Sequence, residues 1–295
     1  MKEQISLHGP RLSRVIAGAW RWRLETSETE RLIQTALECG ITTFDHADIY
    51  GDYENEKRFG VLLKGNPSLR NKIELVTKCG IRLVSSARPE HRIKHYNTSK
   101  DHIVRSVENS LTNLSTDRLD VLLLHRPDPL MNPEEVAGTF SLLKEQGKVL
   151  WFGVSNFSAS QFELLRHYTP HPLVTNQVEI SLFNHSRLLD GTVDTLMKHC
   201  VSPMAWSPLG GGKYFSTSGQ GESIERKLEN LAIHNNCTVS QLLLAWLLRH
   251  PARIFPILGT TKPDRLREAA AALHVKLDRQ DWFGMLKAVT GKDVA

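Results

Sequence analysis

Short apolar runs of strand length alternate with amphipathic stretches along almost the whole chain, and the alternation is regular. Val15 to Gly18 precedes a helix expected from about Glu28 to Cys39, with Ser27 and Glu30 at capping-box spacing and Gly40 at its close. Thr42 to Asp45 leads to a helical Glu54 to Leu63. Ile73 to Lys78 is followed by a long loop, Gly80 to Ser99, and then by Lys100 to Leu114, where Ile103, Val107, Leu111 and Leu114 recur at helical spacing. Leu119 to His125 pairs with Pro133 to Glu145, whose proline suits a first helical turn. Val149 to Ser155 pairs with Ser158 to His167, and Thr175 to Glu179 with Leu188 to Lys198. The last third gives Ser202 to Trp206, helices at about Ile224 to Asn235 and Val239 to Arg249, then Ile254 to Leu258 and Arg265 to Leu273.

These are eight strand-helix units. Unbroken apolar strands such as Val121 to Leu124 imply burial on both faces, which parallel sheets provide. Eight units within about 250 residues, with no Pro-, Gly- or Ser-rich linker and no reversal of the pattern, favour a closed (β/α)8 TIM barrel over an open doubly wound sheet. The expectation is one α/β domain spanning residues 1–295.

Composition narrows the class. Apolar residues are 40% of the 295 and charged residues 23%, enough apolar surface for a sizeable core and too much for a disordered chain. No run approaches the ~18 apolar residues of a membrane span, and Met1 to Pro10 lacks the apolar stretch of a signal peptide, so the expected compartment is cytoplasmic. Cys39, Cys79, Cys200 and Cys237 have no CxxC spacing. His91 and His95 are four apart, but Arg88, Arg92 and Lys94 around them would repel a divalent cation, so no metal is expected. The net charge of +5 comes without the interleaving of basic and aromatic residues that nucleic-acid binders show.

In such a barrel, chemistry sits at the C-terminal ends of the strands. Strand two ends at Asp45 and is followed by Tyr50, strand three ends at Lys78, strand four at His125, and strand five at Ser155 and Asn156. Singly, each has a plain structural use: an Asp caps a helix, a Lys snorkels, a His bonds in the core. Together they bring an acid, a phenol, an ammonium and an imidazole to one mouth. A phenol with a reference pKa near ~10 is a poor acid at neutral pH, and a cation such as Lys78 beside it is expected to pull that value down. Asp45 would orient Lys78 and keep it charged, and His125 could donate to a carbonyl oxygen where charge develops.

At these residues the chain resembles the aldo-keto reductase superfamily. The resemblance runs from about Arg14 to Glu268 through separated motifs in one order: Phe44-Asp45-His46-Ala47 with Tyr50-Gly51, Thr77-Lys78, Leu122 to Pro127, Gly153-Val154-Ser155-Asn156-Phe157, Asn176-Gln177-Val178-Glu179, Trp206-Ser207-Pro208-Leu209-Gly210 and Pro256-Ile257-Leu258-Gly259. It implies an NADPH-dependent reductase of small-molecule aldehydes or ketones, with Asp45, Tyr50, Lys78 and His125 catalytic and Tyr50 protonating the carbonyl oxygen. It further implies that Ser155, Asn156 and Gln177 hold the nicotinamide carboxamide, that Trp206 stacks on the ring, and that Gly18 and Trp20 line the cofactor near the substrate. Ser207, Leu209 and Gly210 would follow the pyrophosphate. Gly259, Thr260, Thr261, Lys262, Arg265 and Glu268 would serve the adenosine end of NADP(H), with Arg265 on the 2′-phosphate. Many members have Lys where Gly259 stands and Asn where Ala269 stands, so that end departs from the common pattern. The same resemblance leaves a second reading, a nicotinamide-binding regulatory subunit with little turnover. Gly210-Gly211-Gly212 is an incomplete match to a phosphate loop. The Gly80 to Ser99 loop is long for a strand-to-helix connection and carries Arg82, Arg88, His91, Arg92, Lys94 and His95; it is expected to border the substrate pocket and favour anionic or polar carbonyls, the alternative being a solvated basic loop unrelated to the substrate.

Overall fold

The computed structural model describes residues 2–215 and 222–294. Eight parallel strands close in chain order: β1 (Ile16–Gly18), β2 (Thr43–Asp45), β3 (Glu74–Cys79), β4 (Leu119–Leu124), β5 (Val149–Ser155), β6 (Leu173–Glu179), β7 (Met204–Trp206) and β8 (Phe255–Leu258). Each pairs with its neighbours in sequence, and β8 returns to β1 with Leu258 opposite Ala17. The outer helices are α1 (Thr26–Glu38), α2 (Asn55–Gly65), α3 (Lys100–Asn113), α4 (Pro133–Glu145), α5 (Ala159–Tyr168), α6 (Thr192–Lys198), α7 (Glu222–His234), α8 (Val239–Leu248), α9 (Pro263–Ala271) and α10 (Arg279–Thr290). This is the (β/α)8 barrel the alternation predicts.

The two-residue period of the strands divides the core. Val121 and Leu123 cluster with Ile16, Val76, Val174, Met204, Phe255 and Ile257, residues of strands on opposite sides of the ring, so this set fills the barrel. Leu122 and Leu124 belong to the layer between strands and helices, with Ile103, Val107 and Phe140. Phe140 stacks on Phe152 there, ring centres 4.2 Å apart. The outer layer is why helices with one apolar stripe suffice.

Three elements escape the pattern. An N-terminal hairpin, Lys2–Gln4 against Arg11–Ser13, closes the floor and delivers Ile5 and Leu12 to the interior cluster. Its three-residue strands are too short for any period to show. Helix α10 docks through Trp282, which stacks on Trp246 at 4.7 Å while each indole N–H donates to the other residue's carbonyl. Within the Gly80 to Ser99 loop, Ile81–Arg82 pairs with His95–Tyr96 as a small hairpin.

Two helix starts differ from expectation. Helix α1 begins before Ser27, and the Glu28 carboxylate, rather than a Ser27–Glu30 box, accepts the Glu25 N–H at 3.1 Å. The helix expected from Leu188 is interrupted: Ser186–Leu188 forms a 3-10 turn, Gly191 takes φ 83°, and α6 starts at Thr192, whose N–H is met by Asp190.

Candidate active site

The strand register brings the chemically active residues to one rim. Asp45 closes β2, Lys78 is next to last in β3, His125 follows β4, Ser155 closes β5 opposite Gln177 of β6, and Trp206 closes β7. All except Lys78, which lies beneath, border one cavity of about 1220 Å³ at the C-terminal mouth. Gly18 borders it too, and a Cβ there would come within 2.8 Å of Ile257, so β1 can approach β8 this closely only with glycine.

Lys78 is the centre of the site. Its ammonium is fully buried and has three protons and three acceptors: Asp45 Oδ2 at 2.7 Å, the His46 carbonyl at 2.7 Å and the Tyr50 oxygen at 3.0 Å. The other Asp45 oxygen accepts from Gln177 Nε2 at 2.8 Å. Because the Tyr50 oxygen accepts from Lys78, the phenol's own proton is left to be donated elsewhere. The loop that carries Tyr50 turns sharply through Gly51, Asp52 and Tyr53, all with positive φ, and a Cβ on Gly51 would strike the Asn55 side chain. Asn55 in turn donates to the Ala19 carbonyl at 2.8 Å, tying the loop to the end of β1.

Burial and charge set the protonation states. Burial pulls Lys78 down, but Asp45 and Tyr50 more than offset it, and the ammonium is held above its ordinary value. Tyr50 departs from the sequence expectation. Burial pushes the phenol above its usual value despite the opposing pull of Lys78, and Asp45 adds to the rise, so the neutral, proton-bearing form is favoured. His125 is driven well below its ordinary value by burial and then by the charges of Lys78, Arg126 and Lys94. Its ring packs edge-on to Tyr50, centres 5.9 Å apart, and makes no hydrogen bond among the described residues. A neutral imidazole keeps one N–H to donate.

On the neighbouring wall, side chains tie the Trp206 indole in place. Trp206 Nε1 donates to Asn156 Oδ1 at 3.0 Å, Asn156 Nδ2 donates to Ser155 Oγ at 2.8 Å, and Ser155 Oγ donates to the Gln177 carbonyl at 2.8 Å. Asn156 and Ser207 hold φ of 63° and 50°, uncommon for residues with a side chain and a mark of constraint. A flat, partly open indole beside amide-compatible groups fits a nicotinamide ring and its carboxamide, and the cavity continues past Ser207 and Leu209 to Gly259, Thr260, Arg265 and Glu268. Glu268 also accepts from Thr238 at 2.5 Å. Trp20 borders the opening and is 58% exposed. Gly210, Thr261 and Lys262 lie beside the cavity rather than in its wall.

Sequence reasoning passed over several residues here. Arg21, Arg23, Arg58 and Arg126 border the cavity, and Asp52 faces it. The long loop, expected to border the pocket, does reach the cavity, through Ile81, Leu83 and Lys94. Arg88 instead lies 4.8 Å over the Tyr53 ring and, with Arg82 and His91, borders a smaller polar pocket of about 380 Å³. His91 accepts from Arg82 Nε at 2.6 Å, so the His91–His95 spacing serves packing and hydrogen bonding. Behind Lys78 lie two further acids, the half-buried Asp48 and the buried Glu56. Glu56 stands on the buried face of α2 with Phe59, Gly60 and Leu63, so a carboxylate on an apolar stripe was the available signal.

The sequence profile of the Aldo/keto reductase family matches residues 14–289. The chain belongs to that family. Its similar proteins include the oxidoreductase YcsN of Bacillus subtilis (strain 168), 50% identical over 287 residues that are 96% of each chain. The oxidoreductase YdhF of Escherichia coli (strain K12) is 47% identical over 294 residues, 98% of each. The 6-dehydroglucose reductase of Agrobacterium fabrum (strain C58 / ATCC 33970) is 44% identical over 288 residues, 96% of each. Among solved structures, the thermostable aldo-keto reductase Tm1743 in complex with the inhibitor epalrestat superposes with a TM-score of 0.81 at 26% identity, covering 98% of this chain and 99% of that one. Membership makes the chain an oxidoreductase of a nicotinamide-using family acting on small molecules. No helix among the described residues is long and apolar enough to cross a membrane.

Proposed function

We propose that this aldo/keto reductase reduces an aldehyde or ketone to an alcohol with NADPH, and that Tyr50 gives the proton. The observation that carries the reading is the Lys78 ammonium, saturated by Asp45, the His46 carbonyl and the Tyr50 oxygen at the edge of an open cavity. When bound, the reduced nicotinamide supplies the hydride; the side chains do the rest. Tyr50 donates its proton to the carbonyl oxygen as negative charge grows there, and Lys78 stabilises the tyrosinate left behind. Asp45 keeps Lys78 charged and aimed. Neutral His125 donates a second hydrogen bond to the same oxygen, a contribution of the kind worth about 10² to 10³ in rate.

Trp206 would carry the nicotinamide ring on its indole face, with Ser155, Asn156 and Gln177 about the carboxamide and Gly18 and Trp20 on the substrate side. Ser207, Leu209 and Gly210 would run along the pyrophosphate. Gly259, Thr260, Thr261, Lys262, Arg265 and Glu268 would meet the adenosine end. In our reading residues 1–295 act as one catalytic domain in the cytoplasm.

The test is NADPH oxidation against a panel of aldehydes, ketones and dicarbonyls. Turnover supports the reading; cofactor binding without turnover across the panel contradicts it and points to a regulatory nicotinamide-binding role. Arg265 opens the first turn of α9, where backbone N–H groups already favour an anion, and its guanidinium can add charge-assisted hydrogen bonds to a 2′-phosphate. Arg265→Ala should weaken NADPH binding by about ten- to a hundredfold and leave NADH nearly unchanged, measured by tryptophan quenching. Equal weakening of both cofactors would show that Arg265 serves their shared part or the fold.

A further inference from the structure

The mouth cavity has two unlike sides. In a ring of eight strands in chain order, β3 stands across from β7 and β4 across from β8. Trp206, Ser207, Gly259 and Arg265 come from the β7 and β8 side, where the proposed cofactor path runs. From the opposite side two cations enter: Arg126, the residue after His125, and Lys94, from the loop that follows β3.

Neither cation has an ion-pair or hydrogen-bond partner for its side chain among the described residues. That sets them apart from Arg70, whose guanidinium binds Asp120 at 2.8 Å, and from Arg82, which donates to His91. The Arg126 guanidinium lies 6.0 Å from the centre of the Trp206 ring, so it hangs over the mouth instead of turning out to solvent. Both charges bear on the His125 imidazole. Of the acids in the cavity wall, Asp45 is engaged by Lys78 and Gln177 and Glu268 by Thr238, which leaves Asp52 as the acid not so engaged.

We propose that this side of the mouth selects carbonyl substrates bearing an oxyanion group, a carboxylate or a phosphate, and that Arg126 and Lys94 bind it. The proposal rests on the carbonyl-reductase reading above. A carbonyl oxygen held between Tyr50 and His125 puts the rest of the substrate beside the residue that follows His125. A guanidinium offers a planar fork that meets carboxylate or phosphate with two hydrogen bonds, and a lysine adds a point charge. On the proposed cofactor path, Ser207, Leu209 and Arg265 would hold the phosphates on the β7 and β8 side, so Arg126 and Lys94 would stay available to the substrate.

The experiment measures kcat/KM with NADPH for benzaldehyde and for benzaldehydes carrying a 4-carboxylate, a 4-phosphate or a 4-trimethylammonium group, in the parent, Arg126→Gln and Lys94→Met. Ratios to benzaldehyde cancel any common effect of the lost charge on His125. The parent should prefer the anionic aldehydes. Arg126→Gln should cut that ratio by about tenfold or more, the size expected for a charge-assisted hydrogen bond, and Lys94→Met by a smaller factor. The trimethylammonium ratio should rise in both. The loss should fall in KM, since the anion is held equally in ground and transition states. Comparison of the carboxylate with the phosphate arm identifies which oxyanion fits better. A parent preference for the neutral aldehyde, or ratios unmoved by both substitutions, would overturn the proposal. If none of the four is reduced, the reductase reading fails instead, and binding decides the anion site: benzoate and benzamide are titrated into NADP+-saturated protein by indole fluorescence. Loss of benzoate affinity alone in Arg126→Gln supports the site, and equal affinities in parent and variants reject it.

Discussion

Asp45, the last residue of β2, and Asp48, in the loop that follows, are three residues apart, and their surroundings are opposite. Asp45 has a donor on each oxygen, Lys78 on one and Gln177 on the other. Asp48 has an acid for a neighbour: burial pushes its carboxyl well above the usual range, and the charge of Glu56 adds to the rise. Glu56, taking a hydrogen bond from Thr77 at 2.6 Å, is pushed up to about 6, also by burial. Neighbouring positions therefore give unequal chemistry. Where a carboxylate meets Lys78, the ammonium is held above its ordinary value; where two acids share the space, both carboxyl values rise.

The largest effect should come from breaking the charged pair. Lys78→Met leaves Asp45 buried with no cation and Tyr50 with no support for its anion. Reduction should slow by about 10² to 10⁴ fold. Unfolding free energy should drop by about 3–5 kcal/mol, since one partner of a buried pair is left behind. Steady-state kinetics and urea midpoints read the two losses separately.

The second effect belongs to His46, which stands between the two acids. Its carbonyl serves Lys78, while both ring nitrogens are buried with no hydrogen-bond partner among the described residues, and the ring meets Phe59 edge-on at 4.6 Å. Burial, with the Lys78 charge, lowers its pKa from 6.5 to about 3. The unfolded chain takes up this proton first on acidification, so the contribution of His46 is constant above pH 6.5 and falls as pH drops toward 3, by roughly 1.4 kcal/mol per unit. Urea unfolding of His46→Phe across that window should show a shallower acid slope than the parent.

The smallest effect sharpens the acid pair. Glu56 rises from 4.5 to about 6 on folding, so its favourable contribution is complete below pH 4.5 and lost as pH climbs through 6. Glu56→Gln keeps an acceptor for Thr77 and removes the charge. It should gain about 2 kcal/mol at pH 8 relative to its effect at pH 4, as the difference in urea midpoints.

Much of this was legible in the chain. The barrel followed from eight alternations, and the site from polar residues placed where strands end. What stayed hidden depends on contacts distant in sequence. The floor hairpin is recognisable only through what Ile5 and Leu12 touch, and α10 only through Trp246, a residue of another helix. The sign of the Tyr50 shift needed the depth of its burial, which no motif carries. Arg126 sat unremarked inside a quoted motif because whether a cation is paired is a property of its neighbours in space.

The central claim is that the Tyr50 proton, backed by Lys78, is what the carbonyl oxygen receives. Tyr50→Phe removes one oxygen and leaves Asp45, Lys78 and the cavity wall in place. With NADPH binding measured on the same preparation by fluorescence, the account predicts unchanged cofactor affinity and a fall of about 10² to 10⁴ fold in kcat/KM for an unactivated aldehyde. Reduction of that aldehyde at the parent rate would contradict it.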